Sequence, residues 1–117
     1  MMTKVAVEQA WNAYLEAYGD VSGEDRRRLL TESVSDDVIS TNPGDETQGL
    51  ESLVLHVEQF QQRLPGSYFK INSLKFHHEQ VLAEWTLYKA DGTAVTTAHT
   101  YGVFNEQGRL KKLIGFF

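Results

Sequence analysis

Apolar residues recur at spacings of three and four through the first half of the chain and at alternate positions through the second. Val7, Ala10, Trp11, Tyr14, Ala17 and Tyr18 share one face of a helix, with Glu8, Asn12 and Glu16 opposite. Thr3 suits its N-cap, and Gly19 suits a left-handed residue that would end it. A second helix starts at Ser22, paired with Asp25 in a capping pattern. Glu24 and Asp25 then fall in the electropositive first turn, and Leu29 and Leu30 supply the apolar side. Leu50, Leu53, Val57, Phe60 and Leu64 define a third helix, stopped by Leu64-Pro65-Gly66.

Between the second and third helices, Asp36-Asp37 reads as a turn into a short strand at 38–41, and 42–49 reads as a polar loop. Strands are expected at 67–76, 81–88, 93–105 and 109–117, with Asp91-Gly92 and Gln107-Gly108 as hairpin turns. Val81, Ala83, Trp85 and Leu87 form one apolar face. The order α-α-β-α-β-β-β-β predicts an α+β fold in which helices cover one face of an antiparallel sheet.

Composition narrows the function. The 117 residues fit a single domain spanning 1–117. Sixteen acids against eleven lysines and arginines give a net charge of −5, which argues against nucleic-acid binding through general basic charge. The absence of cysteine excludes disulfides, thiolate metal sites and a cysteine nucleophile. Met1-Met2-Thr3-Lys4 is followed by no apolar leader region, and no apolar run approaches the ~20 residues of a membrane span. A soluble, cytoplasmic protein that does not engage membranes is the expectation.

The element order and several residue groups resemble the nuclear transport factor 2-like superfamily, in its SnoaL-like branch. The carriers are Trp11 and Tyr14, Asp36-Asp37-Val38 leading to Asn42-Pro43 and Gly49, and His56 with Phe60. Pro65-Gly66, His77-His78, Trp85, and the ending Gly108-Arg109-Leu110 through Gly115-Phe116-Phe117 complete the set. The resemblance implies a cone-shaped, cystatin-like roll: a strongly curved sheet wrapped around helices, with an apolar pocket at one end. It also implies a homodimer joined through the outer sheet face. Relatives include ketosteroid isomerase, polyketide cyclases and limonene-type epoxide hydrolases, and others only bind ligands or proteins, so the resemblance implies a pocket and no particular reaction.

The isomerase base is an aspartate directly before a proline at the end of the first strand. This chain has Asn42 before Pro43, and an amide cannot take up a proton near neutral pH. The second acid of the isomerases, and that of the cyclases, corresponds to Thr100. The tyrosine donor corresponds to Tyr14, or to Trp11 by a shift of register. For an epoxide hydrolase's acid pair and arginine only Glu84 and Arg63 are available, and Glu84 is opposite in phase to Trp85. Acid–base candidates are therefore His99, His56 and Tyr14. His99 faces outward with Tyr101 and Val103 unless a bulge turns it in. His56 lies at the edge of the third helix's apolar stripe.

Trp11, Tyr14, Asn42, His56, Phe60, Phe69, Trp85, Thr100 and Phe117 are the expected ligand-binding set. It suits a small, mostly apolar molecule carrying one or two oxygens. His77 and His78 should point to opposite faces of a strand, so no metal is expected, and no cofactor is implied. Arg26-Arg27-Arg28 reads as a solvated helix face. Asp36, Asp37, Asp45 and Glu46 read as solvated loop acids. Two functions remain open: a small-molecule binder with isomerase-, cyclase- or lyase-type acid–base activity, and a non-catalytic homodimeric module that binds a ligand or protein.

Overall fold

The computed structural model describes residues 2–117; Met1, part of the segment read for a leader, lies outside them. The elements are α1 (Lys4–Glu16), α2 (Gly23–Ser33), β1 (Val34–Asn42), β2 (Asp45–Gln48), α3 (Leu50–Arg63), β3 (Tyr68–His77), β4 (Gln80–Tyr88), β5 (Ala94–Phe104) and β6 (Leu110–Phe116). The strands form one open sheet in the order β2-β1-β6-β5-β4-β3. Neighbours are antiparallel except β1 and β6, which run parallel. The α+β class and the strand series thus stand as read, with β2 added to the order and one parallel pair within the sheet. No helix among the described residues is long and apolar enough to cross a membrane.

The sheet bends because its register slips in four places: between Val34 and Ile39, Ile71 and Ser73, Leu87 and Tyr88, and Val103 and Phe104. Each irregularity adds local twist and turns the strand. The first explains Asp36 and Asp37. They do not form a turn ahead of a short strand; they lie inside a longer β1, at its irregular stretch beside β6. The expected polar loop at 42–49 likewise folds back, pairing Asn42 with Asp45 and Ile39 with Gln48. Asn42 Oδ1 closes that turn by accepting from Gly44 N at 2.9 Å.

Helix starts follow the sequence. Thr3 Oγ1 accepts from Ala6 N and Ser22 Oγ from Asp25 N, both at 3.1 Å. The end of α1 differs. Gly19 is not left-handed; the helix closes through tightened bonds from Tyr18 N to Leu15 O and Gly19 N to Glu16 O. On the concave side of the sheet, α1 buries Val7, Trp11, Tyr14 and Leu15, and α3 buries Leu53, Val54 and Val57. They meet Val38, Val81, Ala83, Phe104, Leu110 and Leu113 from the strands. Trp11 is wholly buried over Gly102 of β5. A Cβ at Gly102 would stand 2.9 Å from Leu110 Cδ2 and 3.3 Å from Trp11 Cζ3, so glycine admits the indole.

Arg26 corrects the reading of its triplet as a solvated face. Arg27 and Arg28 are exposed and paired with Glu51 and with Asp25 and Glu32, but Arg26 is 7% exposed. Its Nε donates to Ala17 O at 2.9 Å. Its Nη2 reaches Gly19 O at 3.0 Å and Val21 O at 3.2 Å. A guanidinium can satisfy several carbonyls at once, and the C-terminal end of α1 favours its charge. Gln61 fastens the same segment from α3, donating to Tyr18 O at 2.8 Å.

Arg26→Met should lower stability by about 1–3 kcal/mol, because buried carbonyls lose their donor. Arg26→Lys should recover part of the loss. Urea unfolding measures both, and an unchanged Arg26→Met midpoint would show that these bonds do not hold the connection.

Candidate functional site

The concave side is not filled to its end. Between α1, α3 and the bent sheet lies a cavity of about 400 Å³. Each wall comes from a different element. Tyr14, Leu15 and Tyr18 come from α1 and the residues after it, and His56, Phe60 and Arg63 from α3. Ser40 and Asn42 come from β1, Asp45 from β2, Phe69 from β3, and Trp85 and Leu87 from β4. Thr96 on β5 and Gly115 and Phe117 at the end of the chain also line it.

The apolar wall is a train of rings. Tyr18 stands edge-on to Phe60 and to Phe69, with centroids 5.4 Å apart in each case. Phe60 and Phe69 stack at 5.4 Å, Phe69 meets Trp85 edge-on at 5.0 Å, and Trp85 meets Phe117 at 6.0 Å. Gly115 leaves room for the last ring, since a Cβ there would lie 3.1 Å from Phe117 Cε2.

Two polar groups interrupt this wall. Tyr14 and Tyr18, one helical turn apart, join hydroxyls at 2.9 Å. Burial, then the neighbouring Tyr18, pushes the Tyr14 phenol well above its usual range, against a small opposing effect of the Ser40 hydroxyl. Burial also raises Tyr18, and the Tyr14 hydroxyl partly offsets that rise. Both phenols therefore stay protonated near neutral pH and can donate. The second group is His56, whose Nδ1 lies 3.2 Å from Asp45 Oδ2. The imidazole is 18% exposed and the carboxylate 53%. One turn of helix separates His56 from Phe60, so helical spacing sets the imidazole beside the rings.

The structure brings Tyr14, Asn42, His56, Phe60, Phe69, Trp85 and Phe117 of the expected set to this cavity. Trp11 does not reach it; its ring is packed in the core with Nε1 buried and unpartnered among the described residues. Thr100 stands behind the wall, where its Oγ1 accepts from Trp85 Nε1 at 2.9 Å and fixes that ring. His99 is on the outer face, because β5 keeps strict alternation there. It pairs across to Glu84, with Nε2 3.4 Å from Oε1.

Sequence reasoning missed Tyr18 and Asp45 as cavity groups. Tyr18 was visible as the i+4 neighbour of Tyr14. Asp45, taken for a solvated loop acid, reaches His56 only because β2 folds back on β1. His77 and His78 also depart from expectation. His78 has a φ of 48°, so the chain turns there and the two Nδ1 atoms come within 2.9 Å instead of facing apart. No group of three or more His, Asp or Glu able to hold a metal ion occurs among the described residues.

No protein-family model and no curated protein matches the sequence. Solved structures do. A proposed isomerase of the SnoaL-like family from Agrobacterium tumefaciens superposes with a TM-score of 0.88 at 22% identity, covering 96% of this chain and 97% of that one. A proposed polyketide cyclase from Sinorhizobium meliloti gives 0.73 at 14%, over 91% and 92% of the two chains. A nuclear transport factor 2-like protein of unknown function from Exiguobacterium gives 0.73 at 14%, over 91% and 95%. Identities this low speak to architecture: the chain has the fold shared by these SnoaL-like and nuclear transport factor 2-like structures.

Proposed function

We propose that the protein binds a small, mostly apolar carbonyl compound in the ring-lined cavity and moves a proton on it. The observation that carries this reading is the His56–Asp45 pair on the wall of a cavity that also holds the Tyr14–Tyr18 hydroxyls. With Asp45 accepting the Nδ1 proton, Nε2 of His56 is the basic nitrogen. It takes a proton from the carbon beside the carbonyl, and the negative charge moves to the carbonyl oxygen. A protonated tyrosine donates to that oxygen in surroundings where water competes weakly. Return of the proton to another carbon completes an isomerisation; attack of the enolate carbon on a second carbonyl of the same molecule, with the proton passing from His56 to the new alkoxide, would complete a cyclisation. His56 thus supplies the base that Asn42, in the aspartate's position, cannot. The proposed isomerase and the proposed cyclase among the solved relatives are in keeping with this class of chemistry.

Proton–deuterium exchange beside the carbonyl of cyclic ketones, followed by NMR in heavy water, tests the reading. His56→Ala should lose about 100-fold or more in exchange rate while ketone binding persists. Asp45→Asn should lose less, and His99→Ala should change nothing. Exchange undiminished in His56→Ala would sink the assignment.

The two phenols make a pH prediction with a definite sign. A folded-state pKa raised above the unfolded value gives stability that is complete below the ordinary phenol range and is lost as pH rises. Stability should therefore decline in alkali, and the decline should shrink in a Tyr14→Phe, Tyr18→Phe double variant. A phenolate absorbance titration in which all five tyrosines ionise together in the ordinary range would contradict this.

We also propose that two copies pair through the outer sheet face. Leu82 and Phe116, 44% and 60% exposed, stand there among Glu84, Thr97, His99 and Tyr101. Sedimentation should give twice the chain mass, and Leu82→Glu should halve it; a monomeric wild type rules the pairing out.

A further inference from the structure

Arg63 is left over from everything described so far. The chain has five arginines. Arg26 is bonded to three carbonyls, Arg27 to Glu51, Arg28 to Asp25 and Glu32, and Arg109 to Thr31 O. Arg63 alone has no hydrogen bond or ion pair among the described residues, in a chain with a surplus of acids. It is exposed, it lines the ring-walled cavity, and it also borders the adjoining hollow with Lys89 and Asp91. Asp91 is already engaged, its Oδ1 accepting from Thr93 N at 2.9 Å.

Helical spacing fixes where Arg63 stands relative to the proton-transfer groups. His56, Phe60 and Arg63 are positions i, i+4 and i+7 of α3, which share one face. Seven residues at the helical rise separate the imidazole from the guanidinium by ~10 Å along the axis. The helix thus presents a base, an aromatic ring and an unpaired cation in line along one cavity.

We infer that the molecule bound here is an elongated apolar acid, whose carboxylate is held by Arg63 while its other end meets His56. The inference rests on the proposed cavity function and names its substrate class. A planar guanidinium matches a carboxylate through two parallel N–H···O bonds. Arg63 and Lys89 beside Asp91 leave one net positive charge at this end, which suits a monoanion better than a phosphate dianion. Arg63 is then a specificity residue, distant from the atoms that react.

Calorimetric titration with 6-phenylhexanoate and with 6-phenylhexanamide, two probes of equal length, tests the inference. The acid should bind at least tenfold more tightly than the amide at neutral pH and low salt, and added salt should narrow the gap. Arg63→Gln should abolish the acid's advantage and leave amide binding within twofold. Arg63→Glu should reverse the preference toward 6-phenylhexylamine. Equal binding of acid and amide by the wild type, or an acid preference surviving in Arg63→Gln, overturns the inference and leaves the cavity function standing. Failure of both probes to bind overturns the cavity reading and this inference with it. Thermal melts of the variants, expected unchanged for an exposed side chain, separate lost recognition from lost folding.

Discussion

Trp11 can seat against β5 only because position 102 has no side chain, and that contact sets the distance between α1 and the sheet. Any Cβ there would press on Leu110, Val81 and the indole together, and the helix would have to lift. From that anchored point the same face of α1 runs outward to Tyr14, and just past the helix end to Tyr18. The helix is held tightly where the indole fills the space. Farther along, the bulged strands carry the sheet away and a hollow remains. The cavity is thus what the helices and a bent sheet leave between them.

Ring contacts keep that hollow open. An apolar cavity loses the dispersion contacts that filling side chains would make. Here the lost contacts are partly replaced sideways, from ring to ring around the wall, with Trp85 pinned by Thr100 and Tyr18 held through its backbone by Gln61. The same rings exclude water from the phenol pair, which keeps both hydroxyls protonated. His56, by contrast, stands against a carboxylate that remains largely in water. Burial thus governs the phenols, while the imidazole is placed by a contact at the protein's edge.

How much of this the sequence discloses depends on whether the governing force is local. The helices and β3–β6 were legible because apolar spacing and turn residues record burial directly. β2 was not: Asp45, Glu46, Thr47 and Gln48 contain no apolar residue to alternate, and only pairing with β1 makes them a strand. Arg26 looked like its two neighbours because its carbonyl partners are contributed by an irregular connection. Within the site, Tyr14, His56, Phe60, Phe69 and Trp85 could be read from their stripes. Trp11 and Thr100 sat on the right faces at the wrong depth, which periodicity does not encode. The Asp45–His56 pair was invisible because it joins a sheet edge to a helix through a turn closed by a side-chain bond from Asn42.

That last arrangement has an evolutionary consequence. β2 is a four-residue strand at the sheet's margin, with no buried residue, paired to β1 alone. Its sequence can drift without disturbing the packing beneath, whereas the phenols share a helix face with the indole that anchors the fold. The architecture therefore separates a fixed floor of phenols from an exchangeable rim. Descendants of such a chain could acquire new reactivity by rewriting one short hairpin, while the ancestral core passes on unaltered.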